Sequence, residues 1–192
     1  LECDDSDRDR FPELHTFDFG LPNSPLLKGM TRITAGTTYT RGRGYGLLNA
    51  QVWRSFDVLQ PDVVYRDFVC IEKGGLAVDL PDGVYHVFVN IDCPGGFWGE
   101  LPKYRSRKVM AEGKVVSEDT MDRAAAVNTY FRFADQDDLY TDNTFDKYLG
   151  AIFEEKAFDV HVTDGQLNVE FDGPDWSNCV SCLVAFPVEK MA

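Results

Sequence analysis

Two runs of alternating apolar residues flank a tight turn in the last third of the chain. Phe158, Val160 and Val162 recur at every second position, Thr163-Asp164-Gly165 interrupts them, and Leu167, Val169 and Phe171 resume the spacing. A period of two belongs to a strand with one buried face, and Asp-Gly is a favoured tight turn. The segment therefore reads as an antiparallel hairpin. Val180 to Phe186 alternates again, so the chain ends by returning into its own sheet.

Earlier segments repeat the pattern at short intervals. His15 to Phe19 alternates and stops at Gly20-Leu21-Pro22; Thr31 to Thr34 is a second short run; Gly42 to Gly46 is a glycine-rich turn. Val63 to Ile71 is rich in strand-forming residues and is followed by Leu76, Val78 and Leu80. Pro81-Asp82-Gly83 turns the chain into Val84–Ile91, where Tyr85, Val87, Val89 and Ile91 share a face and Phe88 lies on the other. Lys108 to Val116 reads as a hairpin turning at Glu112-Gly113. The expected fold is an all-β, antiparallel sandwich.

One stretch departs from this rhythm. Thr120 to Val127 favours helix, with Thr120 or Ser117 as its cap. Leu139 to Glu155 is acidic, aromatic and of mixed period. Residues 1–13 read as a polar leader, and 14–192 as one sandwich domain with a partly helical insertion around 117–156. A length of 192 residues accommodates one such domain.

Nineteen basic against 32 acidic residues give a net charge of -13, a field that repels phosphate backbones. Nucleic acid and anionic membranes are therefore not expected as partners, and no apolar run is long enough to span a bilayer. The basic exception is Lys103 to Lys108, where Lys103, Arg105 and Arg107 alternate and would project together toward an acidic glycan or toward the chain's own acids. Of five cysteines, Cys179 and Cys182 form a CxxC. On an extended strand these two lie about 10 Å apart on opposite faces, too far for a disulfide, so they read as core thiols. Cys3 and Cys93 stay without an assignment.

Three segments in order carry a resemblance: Phe17 to Gly20 with Gly29, Tyr39 and Gly44-Tyr45-Gly46; Leu80 to Val87; and Val160 to Phe171 with the closing strand. Together, over about residues 15 to 188, they resemble galactose-binding-like jelly-roll domains. They look most like malectin-type domains and the β-sandwich attached to pectin-degrading esterases and lyases. The resemblance implies a noncatalytic carbohydrate-binding domain of an exported polysaccharide-degrading protein, acting in the secreted, periplasmic or cell-surface space. Its partners would be an oligo- or polysaccharide, neutral or acidic, and a catalytic domain of the same parent. By position it places sugar contacts at Tyr45, at Phe97 and Trp98, at Asp175 with Trp176, and more loosely at Tyr65, Arg66 and Asp67. No cofactor is required; a structural calcium is compatible with such domains, at no assigned residues.

The residues support that reading on their own chemistry. Sugars offer C–H faces to flat rings and hydroxyls to fixed polar groups. Phe97, Trp98 and Glu100 crowd one Gly/Pro-rich loop, and Asp175-Trp176 follows Gly173-Pro174. Each ring could equally be packing; Trp53, amid apolar residues, reads as packing. Asp135, Asp137, Asp138 and Asp142 do not form an EF-hand, because Tyr140 stands where its glycine is needed. There is no GxSxG, HExxH or P-loop, and His15, His86 and His161 all fall within strand candidates. Glycoside hydrolysis needs only two carboxylates about 5–9 Å apart, yet no pair stands in a recognisable context. A structural accessory domain and a small lyase or hydrolase are the rival readings.

Overall fold

Alternating strands with one apolar face must cover that face, and here two sheets cover each other. The computed structural model describes residues 13–93, 103–132, 136–143, 145–150, 152–154 and 156–188. In chain order the strands are β1 (His15–Phe19), β2 (Thr31–Ile33), β3 (Tyr45–Asp57), β4 (Asp67–Asp79), β5 (Gly83–Asn90), β6 (Tyr104–Ala111) and β7 (Lys114–Met121). A helix, α1 (Arg123–Tyr130), and a π-helical turn (Phe145–Leu149) precede β8 (Lys156–Val162), β9 (Gln166–Asp172), β10 (Cys179–Val180) and β11 (Cys182–Pro187). The first sheet runs β2-β1-β11-β5-β8, antiparallel except for the β1–β2 pair. In the second, β3 lines one edge of β4, β9 and β10 follow each other along its other edge, and β6 and β7 continue beyond β9. The fold is a β-sandwich.

The core lies between the sheets. Phe17, Phe19, Val87, Val89, Val160, Val162 and Leu183 face Val69, Ile71, Leu76, Val109, Leu167, Val169 and Phe171, all buried. Burial of this kind contributes roughly 1.5–3 kcal/mol per large side chain.

The expected 158–171 hairpin is not one. β8 pairs with β5 in the first sheet and β9 pairs with β4 and β6 in the second, so Asp164-Gly165 carries the chain across the sandwich. Alternation reports which face is buried, not which strand is the neighbour; both strands point inward from opposite sheets. Pro81-Asp82-Gly83 makes a parallel crossing, and the two arches hold each other. Leu80 N donates to Gly165 O at 3.0 Å, and Gly165 N to the Asp82 carboxylate at 2.9 Å. The hairpin at Glu112-Gly113 does form, joining β6 to β7, with φ of 49° and 70° at its two turn residues, the left-handed pair such a turn requires.

Other differences have local causes. Val63 to Arg66 is a turn, not strand, because the Asp62 carboxylate accepts from Val64 N and Tyr65 N. Ser117 to Met121 belongs to β7, so the helical excursion starts later than expected, capped by Asp122, which accepts from Ala125 N at 2.8 Å. The final run is one extended segment that changes sheets at Ser181: Cys179 and Val180 pair with β4, and Cys182 onward pairs with β5 and β1.

Candidate binding site

At one end of the sandwich the inward phase of two strands stops being apolar. Arg107 continues the phase of Val109 and Ala111, and Lys156 that of Phe158, Val160 and Val162, yet both charged residues are buried. A bulge directly before Arg107 resets the phase of the residues ahead of it. Tyr104 pairs with Met121 and Arg107 with Asp119, so β6 holds one residue more than β7 over the same span. The bulge breaks the expected row of three cations: Lys103 and Arg105 point to solvent, whereas Arg107 turns inward beside Tyr104.

The Arg107 guanidinium is fully occupied. Nε donates to Asp119 at 3.1 Å, Nη1 to Ser177 O at 2.9 Å and Ile91 O at 3.4 Å, and Nη2 contacts Asp92 at 2.7 Å and Asp119 at 3.0 Å. Its charge also lies 4.9 Å from the Tyr104 ring centroid. Lys156 Nζ bridges Asp119 at 2.9 Å and Glu154 at 2.6 Å, and the second oxygen of Asp92 accepts from Glu154 N at 3.1 Å. Burial raises Asp92 above the ordinary carboxylate range, more than the opposing pull of Arg107. Burial would also raise Asp119, but Lys156 and Arg107 together hold it below that range. Burial pushes the hydroxyls of Tyr104 and Tyr130 up, so both remain neutral donors.

Of these groups Asp92, Tyr104, Arg107, Tyr130 and Glu154 wall a cavity of about 230 Å³, closed further by Cys93, Met121, Thr129, Ile152 and Trp176; Asp119 and Lys156 brace that wall from behind. Tyr130 reaches it from α1, its hydroxyl donating to Cys93 O at 3.3 Å. Pockets for drug-sized ligands run about 300–1,000 Å³, so this one fits a single small ring. A shallow open groove adjoins it, sharing Tyr104 and Met121 and carrying Lys103, Arg105, Ser106, Asp122 and Pro174.

The residues expected from sequence are dispersed. Trp176 reaches the cavity wall, but its ring packs in an aromatic cluster, 4.7 Å from Trp53 and 4.9 Å from Phe56. Asp175 is exposed on the turn before it, at φ 45°. Tyr65 packs at a tilt against Phe153, ring centroids 5.1 Å apart, and Phe153 lies between Ile152 and Glu154 of the cavity wall. Arg66 is engaged by Asp57 at 2.8 Å. Asp67 is fully buried, held by Arg32 and Ser24, and offers nothing to a ligand. Tyr45 sits opposite Val78, whereas the Trp176 end of β4 is at Val69 and Cys70, roughly 30 Å away at about 3.3 Å per residue. Tyr45 and Trp176 therefore belong to opposite ends of the molecule. Phe97 and Trp98 lie outside the described residues.

Asp92, Tyr104, Asp119, Tyr130, Glu154 and Lys156 were not among those expectations. A legible signal existed for Lys156 and Arg107: a charge standing in an inward phase. Tyr130 and Glu154 come from the excursion and carry no such signal.

Among the described residues no group of three or more His, Cys, Asp or Glu side chains has the arrangement to hold a metal. The buried Asp18–Asp67 pair has the Arg32 guanidinium between its carboxylates, and Asp138 and Asp142 are taken by Lys147 at 2.9 and 3.2 Å. Asp135 lies outside the described residues.

No family model matches the chain, and no curated protein sequence matches it. Solved structures match in fold. Protein YxiM of Bacillus subtilis aligns over 91% of this chain and 40% of its own, with a TM-score of 0.55 and 23% identity. A β-glucuronidase of Bacteroides uniformis aligns over 91% of this chain and 18% of its own, at 0.55 and 12%. The plant receptor-like kinase FER aligns over 93% and 43%, at 0.55 and 14%. The chain spans less than half the length of each of these proteins.

Proposed function

We propose that this domain binds carbohydrate without catalysis, taking one sugar residue of a glycan into the cavity at the Arg107 end of the sandwich. The supporting observation is the cavity itself: ring-sized, walled by Tyr104, Tyr130 and Trp176, and polar through Asp92 and Glu154. Aromatic walls suit the C–H face of a pyranose, and neutral phenols with fixed carboxylates suit its hydroxyls. Arg107 acts as a positioning residue, since all five of its donors hold protein groups. Asp92 is likewise engaged at both oxygens, which leaves it neither a free base nor a free acid and favours binding over hydrolysis. An acidic glycan would meet Lys103 and Arg105 in the adjoining groove, so its affinity would fall as salt rises, while that of a neutral glycan would not. The parent would be an exported polysaccharide-degrading protein.

A glycan-panel titration of wild type beside Glu154→Gln and Trp176→Phe tests this. Each variant should weaken binding about tenfold, the equivalent of one hydrogen bond or contact, while the circular dichroism spectrum shows the fold retained. Absence of any ligand at millimolar glycan would overturn the proposal. It would support instead a structural accessory role, which one observation favours: Phe88, Val184 and Phe186 form a half-buried apolar row on the outer face of the first sheet.

A further inference from the structure

Three thiols meet behind the Trp176 cluster. Cys70, Cys93 and Cys179 are buried together with Phe68, against Trp53, Phe56 and Trp176, and none is in a disulfide. Cys70 stands directly opposite Cys179 in the β4–β10 ladder. One position along, Ile71 N donates to Asn178 O at 3.1 Å, while Cys179 N turns away to Ile91 O at 2.9 Å. Cys70 and Cys179 are therefore a non-hydrogen-bonded pair, the kind whose side chains approach most closely across antiparallel strands. Their sulfurs are 3.8 Å apart. A bond needs about 2.05 Å, and rotation of the two side chains can close that gap with the strands in place. Cys93 also hydrogen-bonds Cys179, but it lies on the segment leaving β5 rather than on a strand registered with β10. Cys182 lies beyond the change of sheet at Ser181.

We propose that Cys70 and Cys179 form a cross-strand disulfide when the chain folds in the presence of a small-molecule disulfide, and that the closed core then seals it. One cysteine thiolate attacks the small disulfide, making a mixed disulfide and releasing one small thiol. The partner thiolate attacks the protein sulfur of that intermediate and releases the second. Two protein thiols are oxidised and one small disulfide is reduced to two thiols. Order matters because the folded site is closed: all three sulfurs are buried, and burial raises the Cys179 thiol well above its ordinary value, so the folded chain exchanges poorly. The bond would fasten β10 to β4 directly under the cluster that supports Trp176.

The test is a non-reducing peptide map after alkylation, on the full chain refolded from denaturant in glutathione redox buffer or in dithiothreitol. A Cys70–Cys179 linked peptide is expected in the first sample alone. It should persist in Cys93→Ala and vanish in Cys70→Ala. The oxidised chain should melt roughly 5–10 °C higher, as closure of a long loop predicts. Folded, reduced protein given oxidised glutathione should form little of the link. Both cysteines alkylated after oxidative folding, or a Cys93–Cys179 link in their place, would overturn the proposal. Producing the chain in oxidising and reducing hosts repeats the comparison without a refolding step.

Discussion

Asp18 is a charge the fold tolerates rather than uses. It is fully buried, neither carboxylate oxygen accepts a hydrogen bond, and the Arg32 guanidinium 3.2 Å away is shared with Asp67. Burial pushes its pKa up to about 7, opposed by Arg32 and assisted by Asp67. A folded value above the unfolded 3.8 means that the native state holds the proton more tightly between about pH 4 and 7. Stability from this group is complete below pH 4 and is lost as pH rises through 7. Asp18→Asn should therefore exceed wild type by about 1–3 kcal/mol at pH 8 and converge with it near pH 4. Urea denaturation at pH 4.5, 6 and 8 checks this, and equal midpoints at pH 8 would refute it. The sequence pattern could not show the burial. Phe17-Asp18-Phe19 puts Asp18 on the outer phase of its strand, where water is the default neighbour, and the cover comes from Arg32, fourteen positions along. The same blindness applies to Asp67, which looked available for a ligand and is enclosed by the same cluster. Trp53 and the core thiols were legible, because apolar neighbours and strand phase both pointed inward.

At the scale of elements, the bulge in β6 decides what the end of the sandwich can do. Without the extra residue Lys103 and Arg105 would follow Arg107, Val109 and Ala111 inward, and Tyr104 would turn to solvent and leave the cavity wall. Replacing Arg107 by Leu should cost about 3–5 kcal/mol, because the cost is that of carboxylates left buried and unpaired. Arg107→Lys should fall between, since one ammonium cannot serve the two carbonyls and both carboxylates. Arg107→Leu combined with Asp92→Asn should recover part of the loss. Chemical denaturation of the four proteins measures it, and a loss below 1 kcal/mol in Arg107→Leu would mean that the network does not brace the site. Strand phase was readable in β5, β8 and β9, whose apolar inward residues were assigned from alternation. Pairing was not. A two-residue period carries no information about whether a tight turn returns along the same sheet or crosses to the facing one. A bulge, which shifts phase by a single residue, is likewise invisible when the residues on both sides are polar.

On the scale of the whole molecule, the first and last strands are neighbours: β1 pairs with β11, whose other edge carries β5, so both lie inside the first sheet. Pairing of this kind joins segments far apart in sequence, which slows folding and ties distant acidic residues into one domain. A net charge of -13 therefore acts on the folded domain as a whole. At 0.01 M salt the Debye length is about 30 Å, comparable with the domain, and at 0.15 M about 8 Å. Raising NaCl across that range should screen the acids from one another and lift the melting temperature by roughly 2–5 °C. The Arg107–Asp92 contact is buried and screened little, so it should not offset this gain. Calorimetric scans in a salt series, with glycerol as an uncharged control, distinguish the outcomes. A melting temperature that falls with salt would mean that attraction within the ion networks, rather than surface repulsion, dominates the domain's electrostatics.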